Sequence, residues 1–152
     1  MTPRLSYDKA APGVLKAMLG LEGYLATSSL PKPLKLLVVL RVSQMNHCAY
    51  CIDMHSHELR QIGESNERID LLSAWREAPF YTVRERAALA WAEATTNLAP
   101  NFVPDDVFAA ASAEFSEREL ADLTLAVATI NAWNRFGVAF RLVPGSYAKA
   151  NS

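Results

Sequence analysis

The sequence predicts an all-α fold, a compact helical domain of about seven helices, and three observations carry that expectation. Apolar residues recur at spacings of three and four along most of the chain, two Ser/Thr-x-x-Glu capping boxes mark helix starts, and no stretch shows the period-two alternation of a half-buried strand. At 152 residues, 51% of them apolar, the chain can bury a sizeable core. No repeat, low-complexity tract or Gly/Ser-rich linker divides it, so residues 1–152 read as a single domain.

The elements follow in order. From Pro12 through Ser28, Val14, Leu15, Met18, Leu19, Leu21 and Leu25 form one helical face, and Ser29-Leu30-Pro31-Lys32-Pro33 breaks it. From Leu34, the run Leu36, Leu37, Val38, Val39, Leu40 and Val42 is apolar nearly all round, as suits a central helix buried on most sides. Asn46 is the expected N-cap of a helix from about Cys48 to Ile62, ended by Gly63. Thr82 with Glu85, and Ser116 with Glu119, have capping-box spacing, which starts helices running to about Asn97 and Phe140. Between them Pro104 sits where proline is tolerated, ahead of a helix over Asp105 to Glu114.

Composition narrows the function classes. Fifteen basic residues nearly balance sixteen acidic ones, and a net charge of −1 supplies no field to draw nucleic acid or an anionic membrane. The first thirty residues show no secretory pattern, so the expected location is cytoplasmic. The apolar stretch Leu120 to Leu142 is interrupted by Asp122, Asn131, Asn134 and Arg135, which fits a buried helix better than a membrane span.

The chemistry gathers in Cys48-Ala49-Tyr50-Cys51-Ile52-Asp53-Met54-His55. On a helix turning roughly 100° per residue, Cys48, Cys51 and His55 share one narrow arc, with His55 one turn beyond Cys51. The two sulfurs are then near enough for a disulfide, and a helix N-terminus and an imidazole both favour the thiolate that attacks a peroxide oxygen. Attack gives a sulfenic acid and an alcohol, and the second cysteine condenses with it, releasing water and leaving the disulfide. His55 is the expected proton handler. Glu58, three residues on, can hydrogen-bond the imidazole from the same side. A zinc half-site is the competing use of C-x-x-C. A closed site needs four ligands, the only candidates are Cys48, Cys51, His47, His55 and His57, and His57 projects from the far side of the helix. No metal is therefore expected. The helix terminus favours Cys48 as the attacking thiol and His55 favours Cys51; Cys51 is preferred.

Outside this segment, His47 reads as polar loop and His57 as solvent-facing. Tyr50 reads as packing that could also shape an entrance. Trp133 is expected in the core, Asn131 and Asn134 as caps or bridges to buried backbone, and Arg135 as paired with a carboxylate. Trp75 and Trp91 suit the core or a subunit contact.

With Leu40-Arg41-Val42-Ser43-Gln44, Leu72 to Glu77, Arg84 to Trp91 and Ile130-Asn131-Ala132-Trp133-Asn134-Arg135, the cysteine segment resembles the AhpD-like alkylhydroperoxidase and carboxymuconolactone decarboxylase family over most of the chain. The resemblance implies a helical protomer assembling into homo-oligomers (dimers, trimers or hexamers), with the thiol pair buried near helix-packing interfaces. It also implies an organic hydroperoxide as substrate, reduction without haem, flavin or metal, and an external dithiol as reductant. In the peroxidase members a relay glutamate lies twelve residues before the first cysteine; here that position is Leu36. General acid–base help is typically worth roughly 10²- to 10⁴-fold in rate, so the departure implies weakened turnover unless Glu58 or a water substitutes. Two alternatives stay open: a redox-sensing or assembly protein with little turnover, which Leu36 favours, and lactone decarboxylation, which the intact thiol pair disfavours.

Overall fold

A computed structural model describes residues 2–99 and 102–147. These form eight α-helices and one 3₁₀ turn, with no strand among the described residues: α1 (Tyr7–Ala10), α2 (Pro12–Ala26), α3 (Lys32–Met45), α4 (Ala49–Gln61), α5 (Asn66–Asp70), the 3₁₀ turn (Leu72–Ala74), α6 (Val83–Thr96), α7 (Asp105–Glu114) and α8 (Glu117–Phe140). The six long helices match the periodic segments. The short α1 and α5 hold too few residues for periodicity to announce them.

α3 is the axis of the fold, packed by α4, α6 and α8, and its Leu37, Val38, Leu40 and Val42 are wholly buried. A helix surrounded by others has no polar face to keep, which is why its pattern is apolar all round. α8 runs beside it, also touching α2, α4, α6 and α7, and carries Leu123, Ala126, Val127 and Ile130 into the same core. Asp122, Asn131 and Asn134 interrupt its apolar run, and each has a partner. Asp122 accepts hydrogen bonds from Tyr24 Oη at 2.9 Å and from Ser29 N and Oγ at 3.3 and 3.1 Å, tying α8 to the turn after α2. No helix among the described residues is long and apolar enough to cross a membrane.

Helix ends follow local chemistry. Both capping boxes form, at Thr82 and Ser116. α2 stops two residues before Ser28, where the Thr27 and Ser28 hydroxyls fold back onto Tyr24 O and Leu25 O. α3 begins two residues before Leu34, because Pro33 lies in the first turn, whose N–H groups have no intrahelical acceptor. α4 ends as expected: Gly63, at φ +88°, allows Gly63 N to donate to Arg60 O and Glu64 N to Leu59 O, the paired bonds of a Schellman stop. Trp75 and Trp91 are buried and donate to Glu93 and Thr124 respectively, as core residues with a satisfied indole N–H.

Three expectations near the chain's polar segments are corrected. Asn46 is not the N-cap of α4 but the C-cap of the preceding helix, at ψ 1°; the N-cap is Cys48, at ψ 92°. Arg135 has no carboxylate partner among the described residues and donates instead to Asn131 O and Oδ1, one turn back on its own helix. Trp133 is half-buried rather than central, packed against the core with Nε1 donating to Glu22 Oε1 at 2.9 Å.

Candidate active site

The site is built on the turn between α3 and α4. His47 takes a left-handed conformation (φ 54°), tolerated better by His than by branched residues, and reverses the chain so that Cys48 enters α4 from behind. The turn is held by buried and half-buried side chains between α3 and α8. Asn46 Nδ2 donates to Asn131 Oδ1 and Asn134 Oδ1, both at 2.9 Å, and Asn134 Nδ2 donates to Ser43 Oγ at 3.2 Å. Ser43 Oγ in turn donates to Val39 O, and Ser43 O accepts from Cys48 N at 3.1 Å. The two asparagines therefore bridge α8 to the turn that carries the first cysteine.

Cys48 and Cys51 form a disulfide, their Cα atoms 5.4 Å apart, with 1% and 2% of their surface exposed. Cys48 Sγ also accepts from Cys51 N at 3.4 Å, so the sulfur itself is the N-cap acceptor of α4. Free backbone N–H groups and the helix dipole favour negative charge there, which lowers the cost of a thiolate.

His55 lies one turn beyond Cys51 on the buried face of α4. Its Nδ1 is 2.7 Å from Glu58 Oε2, so the neutral ring keeps its proton on Nδ1 and presents Nε2 as an acceptor. Nε2 is buried with no hydrogen-bond partner among the described residues. Burial pushes the Glu58 carboxyl pKa up, but the His55 hydrogen bond and the charges of His55, Lys32 and His57 outweigh this and hold it below the ordinary glutamate range. His57 is exposed on the opposite face, as its spacing requires, and His47 is exposed as well. No group of three or more His, Cys, Asp or Glu among the described residues is arranged to hold a metal ion.

Two cavities meet His55. One of about 190 Å³ opens onto Cys51 and is lined by Tyr7, Tyr50, Met54, Ile130, Trp133 and Leu142, with Glu22 at its side. Tyr50 lines this cavity, and burial raises its phenol pKa. The other, of about 350 Å³, lies between α2, α3 and α4, and brings together Leu36, His55, Glu58, Lys32 and Lys35. Position 36 therefore borders the same cavity as His55, on α3, whereas Glu58 borders it from α4.

Sequence reasoning missed Glu22 and Gly137. Glu22 borders both cavities from α2, held by the Trp133 indole, and Gly137 on α8 lies against both sulfurs. Both are remote in sequence from the cysteines, and neither belongs to a local pattern.

Residues 12–94, which include α2 to α5, most of α6 and the thiol pair, match the pattern that defines the carboxymuconolactone decarboxylase family. The chain belongs to that family. It is 40% identical to the uncharacterised Bacillus subtilis protein YdfG over 139 residues, 91% of this chain and 95% of the relative. A protein of unknown function from Agrobacterium tumefaciens, provisionally assigned to AhpD-type antioxidant defence, has the same fold, with a TM-score of 0.92 and 43% identity over 94% of this chain and 98% of the other. An uncharacterised peroxidase-related protein from Ralstonia eutropha with an alkylhydroperoxidase AhpD core, at 22% identity and a TM-score of 0.79 over 91% of this chain and 74% of its own, shares the fold alone. The AhpD-like all-α architecture expected from the sequence is therefore the architecture found.

Proposed function

We propose that this family member is a thiol peroxidase, reducing an organic hydroperoxide through Cys48 and Cys51. The observation that carries the reading is that Cys51 and His55, whose Nε2 is buried without a hydrogen-bond partner among the described residues, line one small, mostly apolar cavity. In this reading His55 takes the Cys51 thiol proton, with Glu58 holding the ring. The thiolate attacks the distal oxygen of ROOH, the O–O bond breaks, and the alkoxide leaves as ROH with the proton from His55. The product on the enzyme is Cys51–SOH. The Cys48 thiol then displaces hydroxide from that sulfur, forming the disulfide and water. An external dithiol returns two electrons. No metal or organic cofactor takes part, and the chain acts as one cytoplasmic domain within a homo-oligomer.

The test mixes fully reduced protein with a slight excess of cumene hydroperoxide, follows peroxide loss, and maps the cysteines by mass spectrometry in wild type, Cys48→Ser and Cys51→Ser. The expected result is one equivalent of peroxide lost and an intramolecular disulfide in the wild type, a sulfenic acid trapped on Cys51 in Cys48→Ser, and no reaction in Cys51→Ser. Unmodified thiols with no peroxide loss sink the reading, and an adduct on Cys48 alone sinks the order of attack.

A second reading, a redox-responsive protein with little turnover, is favoured by one observation: a buried leucine, Leu36, and no carboxylate lines the His55 cavity from α3. Negligible peroxide turnover together with an oligomer size that changes on oxidation supports it.

A further inference from the structure

Gly137 is buried in α8 across from the N-terminal end of α4. A Cβ added there would stand 2.6 Å from Cys48 Sγ and 3.5 Å from Cys51 Sγ. The second distance is ordinary van der Waals contact; the first is an overlap that one of the two groups must relieve. The other glycines of long helices, Gly13, Gly20 and Gly23, face open space, so this demand belongs to Gly137 alone among them.

The backbone on both sides of this contact is held by hydrogen bonds. Asn134, one turn earlier on α8, is bonded to Ser43 and Asn46, which fixes the register between α8 and the turn that carries Cys48. Cys48 N is itself held by Ser43 O. The two cysteines are equally inaccessible by area, yet they differ in what covers them. Cys51 borders the 190 Å³ cavity, whereas Cys48 is not among that cavity's lining residues and its sulfur rests against the bare α-carbon of Gly137.

We propose that Gly137 is a positioning residue for the thiol pair. By lacking a side chain it lets Cys48 Sγ lie against α8 within bonding reach of Cys51, and the same contact closes Cys48 to other molecules. Cys48 is then the internal, resolving sulfur, and every external exchange passes through Cys51. In the reductive half this means that a thiolate of the external dithiol attacks Cys51 Sγ, the Cys48–Cys51 bond breaks, and Cys48 leaves as a thiolate at the helix N-terminus. The second thiol of the donor, deprotonated, then attacks the donor's own sulfur in the mixed disulfide. Cys51 is released as a thiolate and the donor leaves oxidised. The assignment of the peroxide step to Cys51 rests on the proposed function; the role of Gly137 in disulfide closure does not.

The test uses the full chain with Gly137→Ala. On helix propensity alone this substitution stabilises, so a loss has to come from the contact. Reduced and oxidised forms are quantified in glutathione redox buffers of graded ratio, without peroxide. The disulfide equilibrium is expected to weaken at least tenfold, a rise of about 30 mV in potential for this two-electron couple. After one equivalent of cumene hydroperoxide, a 1,3-diketone trap is expected to capture sulfenic acid on Cys51 in Gly137→Ala, where the wild type closes its disulfide first. An unchanged glutathione equilibrium in a folded variant overturns the proposal. If Gly137→Ala unfolds, Gly137→Ala/Cys48→Ala decides: recovery to the stability of Cys48→Ala identifies Cys48 Sγ as the atom in conflict, and failure to recover overturns the proposal. A wild type inert to peroxide but with the glutathione shift intact removes the peroxidase reading and leaves the positioning role standing.

Discussion

Replacing Glu58 with glutamine removes one charge from the imidazole while leaving an oxygen to accept from Nδ1. The two atoms are 2.7 Å apart, but the Glu58 side chain is 41% exposed, so water screens the pair. Unit charges about 4 Å apart are worth ~1 kcal/mol in water and ~4 at a partly buried surface, and the exposed case is nearer the lower bound. About 1–2 kcal/mol of interaction between the two side chains is therefore at stake, a decrease of roughly 5- to 30-fold in the rate at which His55 supports Cys51. The assay is the second-order rate constant for cumene hydroperoxide with reduced protein, by stopped flow. Glu58→Gln should fall by about tenfold. Glu58→Ala should fall further, because the ring also loses the partner that fixes its tautomer. Raising the salt to about 1 M should shrink the gap between wild type and Glu58→Gln, since exposed charges are screened over a few ångströms there. Stability should move by less than about 1 kcal/mol, as for other exposed pairs. A Glu58→Gln rate within twofold of wild type refutes the argument and reduces the contact to a surface hydrogen bond.

The remaining predictions are shorter. Leu36→Glu places a carboxylate on the larger cavity that His55 also lines, and peroxide consumption should rise by about tenfold, somewhat below the usual range for general acid–base help; a rate at or below wild type shows that Glu58 already fills that role. Asp122→Ala leaves Tyr24 and Ser29 without their shared acceptor, and urea denaturation should show a loss of about 2 kcal/mol, with Asp122→Asn recovering part of it. Acid should destabilise the fold through its paired carboxylates. For Glu58, Glu85 and Glu93 burial raises the pKa, but bonds to His55, to Arg68, and to Trp75, Arg76 and Arg41 respectively outweigh it, so each folded-state pKa is depressed. Their contribution is complete above the ordinary value of 4.5 and is lost as pH falls through the folded-state values, so thermal melting should hold steady near neutrality and drop below about pH 4.5.

Much of this architecture could be read from residues in sequence. Ser116 and Glu119 announce α8 because a capping box is a contact between neighbours, and the apolar run of α3 announces a helix with no solvent face. Cys51, His55 and Glu58 lie within one or two turns, so helical spacing alone places them together. Asn46 misled because asparagine is a good N-cap by type. What decides a cap is ψ, and the left-handed turn at His47 delays the extended conformation to Cys48. Arg135 misled for a related reason, since a carbonyl one turn back is nearer than any carboxylate among the described residues. Glu22 and Gly137 were beyond reach because their importance comes from how α2 and α8 dock against α4, a tertiary fact with no local periodicity to betray it.

The use of a cysteine sulfur as the cap of α4 couples oxidation to the backbone. A thiolate is a far better acceptor for the Cys51 N–H than a thiol or a disulfide sulfur, so each change of redox state retunes the first turn of the helix that bears the chemistry. The Cys51 amide is thereby a built-in reporter: its proton exchange with solvent should be slowest in the thiolate form and faster once the bond to Cys48 closes, giving a label-free signal of the redox state of each molecule.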